Sequence, residues 1–181
     1  MNDNPYSVGE QPTLNDTNLQ GPEFEGAVRG MQVIAAAMMI GVLSFLLVVI
    51  LTLAGDTLGL NNPSVMTLVA AGFSTLMIVN YFVVPRFVAK ALLKQAVSND
   101  LINKDEPSKQ QVLVGIYRTH MIVGLALPEG AAFFNLVALM TSKNVLSWCA
   151  VWALLGLMLF RSPTRTRVSF WVQDKLRELQ M

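Results

Sequence analysis

Residues 31–54 read MQVIAAAMMIGVLSFLLVVILTLA, from Met31 to Ala54, without one charged side chain. The uncharged run extends from Gly30 to Gly55, and a second runs from Thr57 to Pro85. At 1.5 Å per helical residue each is long enough to cross a hydrocarbon layer about 30 Å thick. A soluble core has no use for apolar runs of that length. The sequence therefore predicts an all-α, polytopic membrane protein.

Composition agrees. Of the 181 residues, 53% are hydrophobic and only 14% charged, with a mean hydropathy of +0.49, whereas ordinary globular domains are about a quarter charged. The net charge of +1 suggests neither a nucleic-acid partner nor an acidic substrate. Cys149, the one cysteine, can form no intramolecular disulfide. No Cys/His cluster, phosphate loop or Ser/His/Asp set stands out, so neither a cofactor nor an enzymatic activity is expected.

Residues 1–28 are acidic and polar, with Pro5, Pro12 and Pro22. Such a segment buries too little apolar surface to offset ordering and reads as a disordered acidic tail. It lacks the basic start of a secretory signal, so the first apolar run is expected to remain as an uncleaved span.

Four spans are expected within a transmembrane domain of residues 29–160, at about 31–54, 65–84, 119–140 and 145–160. Ala37 and Gly41 place small residues on one face of span 1, where helix backbones can approach closely. Asp56, Gly59, Asn61, Asn62 and Pro63 make a short loop, so spans 1 and 2 read as a tight hairpin closed by Pro85 and Arg86. Lys90 and Lys94 continue one helical face, carrying the chain towards the headgroups. Helix 2 is thus expected to run on into the cytoplasmic loop of residues 86–111, of which residues 98–111 read as the one substantial hydrophilic stretch. Span 4, Val145–Phe160, has sixteen residues, about 24 Å of helix, and is the shortest.

The basic residues fix an orientation. Arg29, the six from Arg86 to Arg118, and the five from Arg161 to Arg177 lie on one side of this arrangement, and only Lys143 lies on the other. Twelve against one places both termini in the cytoplasm. Residues 161–181 form a basic tail in which Val168, Val172, Leu176 and Leu179 make one apolar stripe. That pattern predicts a short amphipathic helix resting on the anionic leaflet. The alternative is a helix packed on the 86–111 loop.

Glu129 carries the functional information. It lies about eight residues, or roughly 12 Å, inside the hydrocarbon if span 3 begins near Met121. An ionisable group at such depth costs about 2.5 to 3.5 kcal/mol on insertion scales and is a functional candidate by default. Pro128 before it removes a helical hydrogen bond and frees the Gly124 carbonyl. The acid is thus a candidate proton or cation site in a broken helix. Alternatively, it only stabilises the start of a half-helix. Arg118 falls on the face of Glu129 but about 16 Å away, which suits an interface anchor. His120 lies on the opposite face. Asn80 could hydrogen-bond across from span 2 to span 3.

The stretch RTHMIVGLALPEGAAFFNLVALM, Arg118 to Met140, resembles the ion-binding second helix of the proteolipid c subunit of rotary ATP synthases. In that family an arginine in the cytoplasmic loop precedes an apolar helix with a mid-membrane carboxyl, which Glu129 would match. The resemblance covers about one eighth of the chain. Span 2 lacks the family's glycine-repeat face, the polar loop is longer, and two further spans are present. The Asn2-Asp-Asn-Pro-Tyr6 start followed by four spans also looks like small bacterial membrane proteins, which implies an inner-membrane location and no particular activity.

Two functions follow as expectations. One is a proton- or cation-binding component of a membrane complex using Glu129, with Pro128, Asn80 and Arg118 in support. The other is a non-catalytic scaffold or accessory protein in which Glu129 only packs. Four short helices leave little room for a private aqueous path, so the partners expected are lipid and either further copies or other membrane subunits.

Overall fold

The computed structural model describes residues 21–55, 57–59 and 63–180. They form five helices: α1 (Pro22–Thr52), α2 (Val65–Ser98), α3 (Glu106–Ser142), α4 (Val145–Phe160) and α5 (Arg165–Gln180), with one 3-10 turn at Leu101–Asn103 between α2 and α3. No β-strand occurs among the described residues. The helices α1, α2 and α3 are each long and apolar enough to cross a membrane, and α4 joined to α5 makes a fourth candidate bent by 62°.

α3 is the central element. It packs against all four other helices, and half of its most apolar window is buried, against 22% for α1 and for α2. Small residues make this possible, because Gly124, Ala131, Ala132 and Ala138 are buried on α3 and let neighbours approach its backbone. The expected tight hairpin of spans 1 and 2 is not what forms. α1 packs on α3, α4 and α5, and α2 on α3 and α4. The α1–α2 connection instead crosses to the α3–α4 turn. There the Gly59 N–H donates to the Lys143 carbonyl at 3.1 Å and the Val145 N–H donates to the Gly59 carbonyl at 3.3 Å.

Local chemistry explains the helix ends. Ser64 caps α2 by accepting from the Thr67 N–H at 3.2 Å, and the Thr67 hydroxyl donates to the Ser142 hydroxyl at 2.8 Å, tying the start of α2 to the end of α3. Lys143 adopts a left-handed conformation with φ 48° and stops α3. Asn144 then caps α4 through the Leu146 N–H at 2.8 Å, satisfying donors that a helix start leaves free.

Two boundaries and one packing face differ from those expected. α1 begins at Pro22, so the part of the acidic tail that is described is helical from there on; Pro at the first position and Glu23 and Glu25 in the first turn suit a helix start. Residues 1–20 of that tail lie outside the described residues. α2 passes through Pro85 to Ser98, the continuation that Lys90 and Lys94 suggested, but α3 already starts at Glu106, so only residues 99–105 of the expected 86–111 loop lie outside the two long helices. Finally, α5 turns its apolar stripe inward. Val168 and Val172 are fully buried and Leu176 nearly so, in one cluster with Leu113 and Ile116 of α3. Burying those side chains against α3 removes apolar surface from water as well as a lipid leaflet would.

At the opposite end of the molecule from the Gly59–Lys143 contact, α1 meets the α4–α5 junction. Gln32 donates to the Pro163 carbonyl at 3.2 Å, and Arg165 pairs with Glu25 at 3.2 Å.

Candidate functional site

Glu129 stands half-buried on α3, with Gly41 of α1 facing it. A methyl group built on Gly41 would come within 3.9 Å of both Glu129 Oε1 and the Phe133 ring, and Phe133 itself packs on Phe45 of α1 with ring centroids 5.7 Å apart. Both are ordinary van der Waals distances, so the carboxyl lies against the α1 backbone at Gly41 without a clash. Among the described residues Glu129 has no hydrogen bond and no ion pair. Nor does any group of three or more His, Cys, Asp or Glu gather around it or elsewhere among them.

The residues expected to support Glu129 lie apart from it. Pro128 is buried within an unbroken α3, so the expected half-helix beginning at the acid does not form. Asn80 donates to the Leu76 carbonyl of its own helix at 3.0 Å instead of reaching span 3. Arg118 is exposed. Besides the Thr67–Ser142 bond, the polar link between α2 and α3 is made by buried Asn135, which donates through its amide to the Ser74 hydroxyl and, at 2.8 Å, to the Ala131 carbonyl of its own helix.

A second constellation, which the sequence did not single out, centres on Arg161 at the end of α4. Pro85 has no N–H, so the Tyr81 carbonyl one turn earlier loses its helical donor. Arg161 Nη1 supplies the missing bond at 3.2 Å. Its Nη2 meets His120 Nε2 at 3.1 Å, and the guanidinium carbon lies 4.6 Å from the Tyr81 ring centroid, a cation–π distance. Gly124 provides the room, because a Cβ there would fall 2.6 to 2.9 Å from guanidinium atoms. The Tyr81 hydroxyl completes the set by donating to the Leu157 carbonyl at 3.4 Å.

Beside this cluster a cavity of about 510 Å³ opens between α2, α3 and α5. Its walls include Phe82, Val83 and Phe87, and its polar lining Arg86, Lys90, His120, Lys175 and Glu178. The signals in the sequence were the i, i+4 spacing of Arg86 and Lys90 on one face and the alternative of a tail helix packed on residues 86–111, which the lining by Trp171, Lys175 and Glu178 of α5 matches in part. No family model, curated protein or solved structure matches the chain.

Proposed function

We propose that the chain crosses the bilayer four times with both termini cytoplasmic, and that it serves as a proton-binding component of a larger membrane assembly, with Glu129 as the acceptor. The observation that carries this reading is the unpartnered Glu129 carboxyl in the α1–α3 groove. A packing acid holds its place through hydrogen bonds, and Glu129 has none among the described residues. A hard cation needs about six or more oxygen ligands, whereas a proton needs one carboxylate. The lone acid thus favours a proton, and a metal cation would require oxygens from another subunit. Half-exposure of the acid on an apolar helix favours a neighbour covering that groove, either a second copy or another membrane subunit.

The test is a hydrophobic carbodiimide, which modifies protonated carboxyls within apolar surroundings. Mass spectrometry of the treated protein in native membranes is expected to place the adduct on Glu129, with Glu129→Gln protein unlabelled but normally inserted. Absence of the adduct at every pH, with Glu129→Gln cells growing as wild type, would sink the proton reading.

A second reading, a non-catalytic scaffold or accessory protein, draws on the polar pairs Asn135–Ser74, Thr67–Ser142 and Arg161–His120, each of which joins two helices. An enzymatic role gains no support from His120, the only histidine, since its Nε2 is taken by Arg161.

A further inference from the structure

We propose that the groove between α2, α3 and α5 binds one anionic glycerophospholipid, its phosphate held by Arg86 and Lys90 and an acyl chain lying along Phe82 and Phe87. The inference rests on α2 spanning the bilayer and is independent of Glu129.

Charge is the first argument. Arg86 and Lys90 stand one turn apart on α2 and line the same cavity, where like charges repel. Neither has a hydrogen bond or ion pair among the described residues. The one acid in the lining, Glu178, is held by Lys175 at 2.6 Å, and Lys175 also pairs with Asp174 at 3.7 Å. Behind the wall Arg161 is engaged by a carbonyl, an imidazole and a ring, so its charge is balanced by no carboxylate there. The groove therefore presents unmatched positive charge to whatever enters, and a phosphate can bridge the two exposed cations.

Depth and apolar walls decide which phosphate. Arg86 lies 21 residues beyond Val65, about 32 Å along the helix, which matches a hydrocarbon layer of about 30 Å and sets Arg86 where phosphates lie. Phe82, one turn deeper, is 51% exposed, and Phe87 is 68% exposed. Inorganic phosphate has nothing to place against those rings, and the polar base and sugar of a nucleotide do not enter hydrocarbon one turn below the phosphate level, whereas an acyl chain does. Basic pockets between helices at this level suit anionic headgroups.

Trp171 lines the groove and can report occupancy. With Trp148 and Trp152 replaced by Phe, it is the sole tryptophan. The full chain is placed in phosphatidylcholine nanodiscs containing a graded fraction of brominated phosphatidylglycerol or brominated phosphatidylcholine, and Trp171 quenching is recorded. Quenching is expected to saturate at a fraction of phosphatidylglycerol at least tenfold below that needed of phosphatidylcholine. Arg86→Gln/Lys90→Gln should abolish this preference, the swap Arg86→Lys/Lys90→Arg should keep it, and Lys104→Gln/Lys109→Gln, which removes equal charge elsewhere, should leave it intact. Equal quenching by both lipids overturns the proposal, as does equal loss in the Lys104/Lys109 control, which would mean a diffuse field. Reversal by millimolar inorganic phosphate would assign the groove to a soluble anion and overturn it too. Failure of the glutamine pair to assemble would leave the lipid comparison in the unaltered protein and in the swap to decide.

Discussion

Arg161 and Tyr81, 80 residues apart, are joined because Pro85 strips the Tyr81 carbonyl of its helical donor and Arg161 Nη1 replaces it at 3.2 Å. The contact converts a weak point of α2 into the fastening for α4. Removing the guanidinium leaves the carbonyl, the His120 nitrogen and a vacated slot beside Gly124 within the bundle. Arg161→Ala is therefore expected to destabilise the protein by about 1–3 kcal/mol, the range for stranding buried polar partners. Arg161→Lys should recover little, since one ammonium cannot reproduce a planar fork that meets two acceptors and a ring. Thermal unfolding in a mild detergent, followed by gel filtration of the soluble fraction, measures both. Gly124→Ala should cost a comparable amount by displacing the same side chain.

Pro85 and Arg161 should also be coupled. Pro85→Ala returns an N–H to position 85, so Tyr81 regains a donor within α2. The loss from Arg161→Ala is expected to be smaller in the Pro85→Ala background by about 0.5–1.5 kcal/mol, the net worth of one hydrogen bond. A double-mutant cycle on the same unfolding assay reads this coupling directly. Strict additivity would mean that Arg161 stabilises the bundle only through His120 and the Tyr81 ring.

Asn135 and Ser74 link α2 to α3 where both are buried. Asn135→Leu is expected to cost about 0.6–2 kcal/mol, as interhelical hydrogen bonds in membranes do. Ser74→Ala should cost less, because the Asn135 amide keeps the Ala131 carbonyl. A residual effect of Ser74→Ala equal to that of Asn135→Leu would place all of the energy in the cross-helix bond.

These contacts mark where sequence reasoning stops. Charge-free runs and the loop at Pro63 were enough to find the apolar helices, because hydrophobic length and helix breaking are local properties, but not the polar ends by which α1, α2 and α3 outrun those runs. The place of Glu129 within a long apolar helix was legible for the same reason. Asn80 was the cross-helix donor expected and Asn135 is the one that makes such a bond, since rotation about a helix axis decides which side chain faces a neighbour and that rotation is set by packing. Arg161 read as one more cation of a basic tail. Its role depends on a proline and a glycine on two other helices, and nothing in the spacing of those three residues ties them together.

α5 gives a sharper contrast between lipid and protein as the partner of an apolar stripe. Val172 is fully buried in one cluster with residues of α3, so Val172→Asp is expected to cost more than about 3 kcal/mol by burying an unpaired charge. Phe170, 67% exposed on the same helix, should tolerate Phe170→Ser within about 0.5 kcal/mol. Equal tolerance at both positions would mean that α5 is detached from α3 in detergent.

The remaining prediction concerns α4, whose sixteen residues are short for a span. α4 begins beside Gly59 at one end of the molecule, and Arg161 at its far end touches His120 and Gly124 of α3. Gly124 lies 18 residues before Ser142, the last residue of α3, about 27 Å along the helix axis. α4 thus runs back alongside nearly the whole of that stretch of α3, and Arg161 reaches back to the α2–α3 wall from its end. Reporter fusions at residues 20, 104 and 170 are expected to be cytoplasmic and those at 60 and 143 external, in line with the twelve basic residues on one side. An external reporter at 170 with an internal one at 104 would mean that α4 does not cross. The Glu25–Arg165 pair could not then form in the membrane, so a cysteine pair placed at 25 and 165 should crosslink only if α4 does cross.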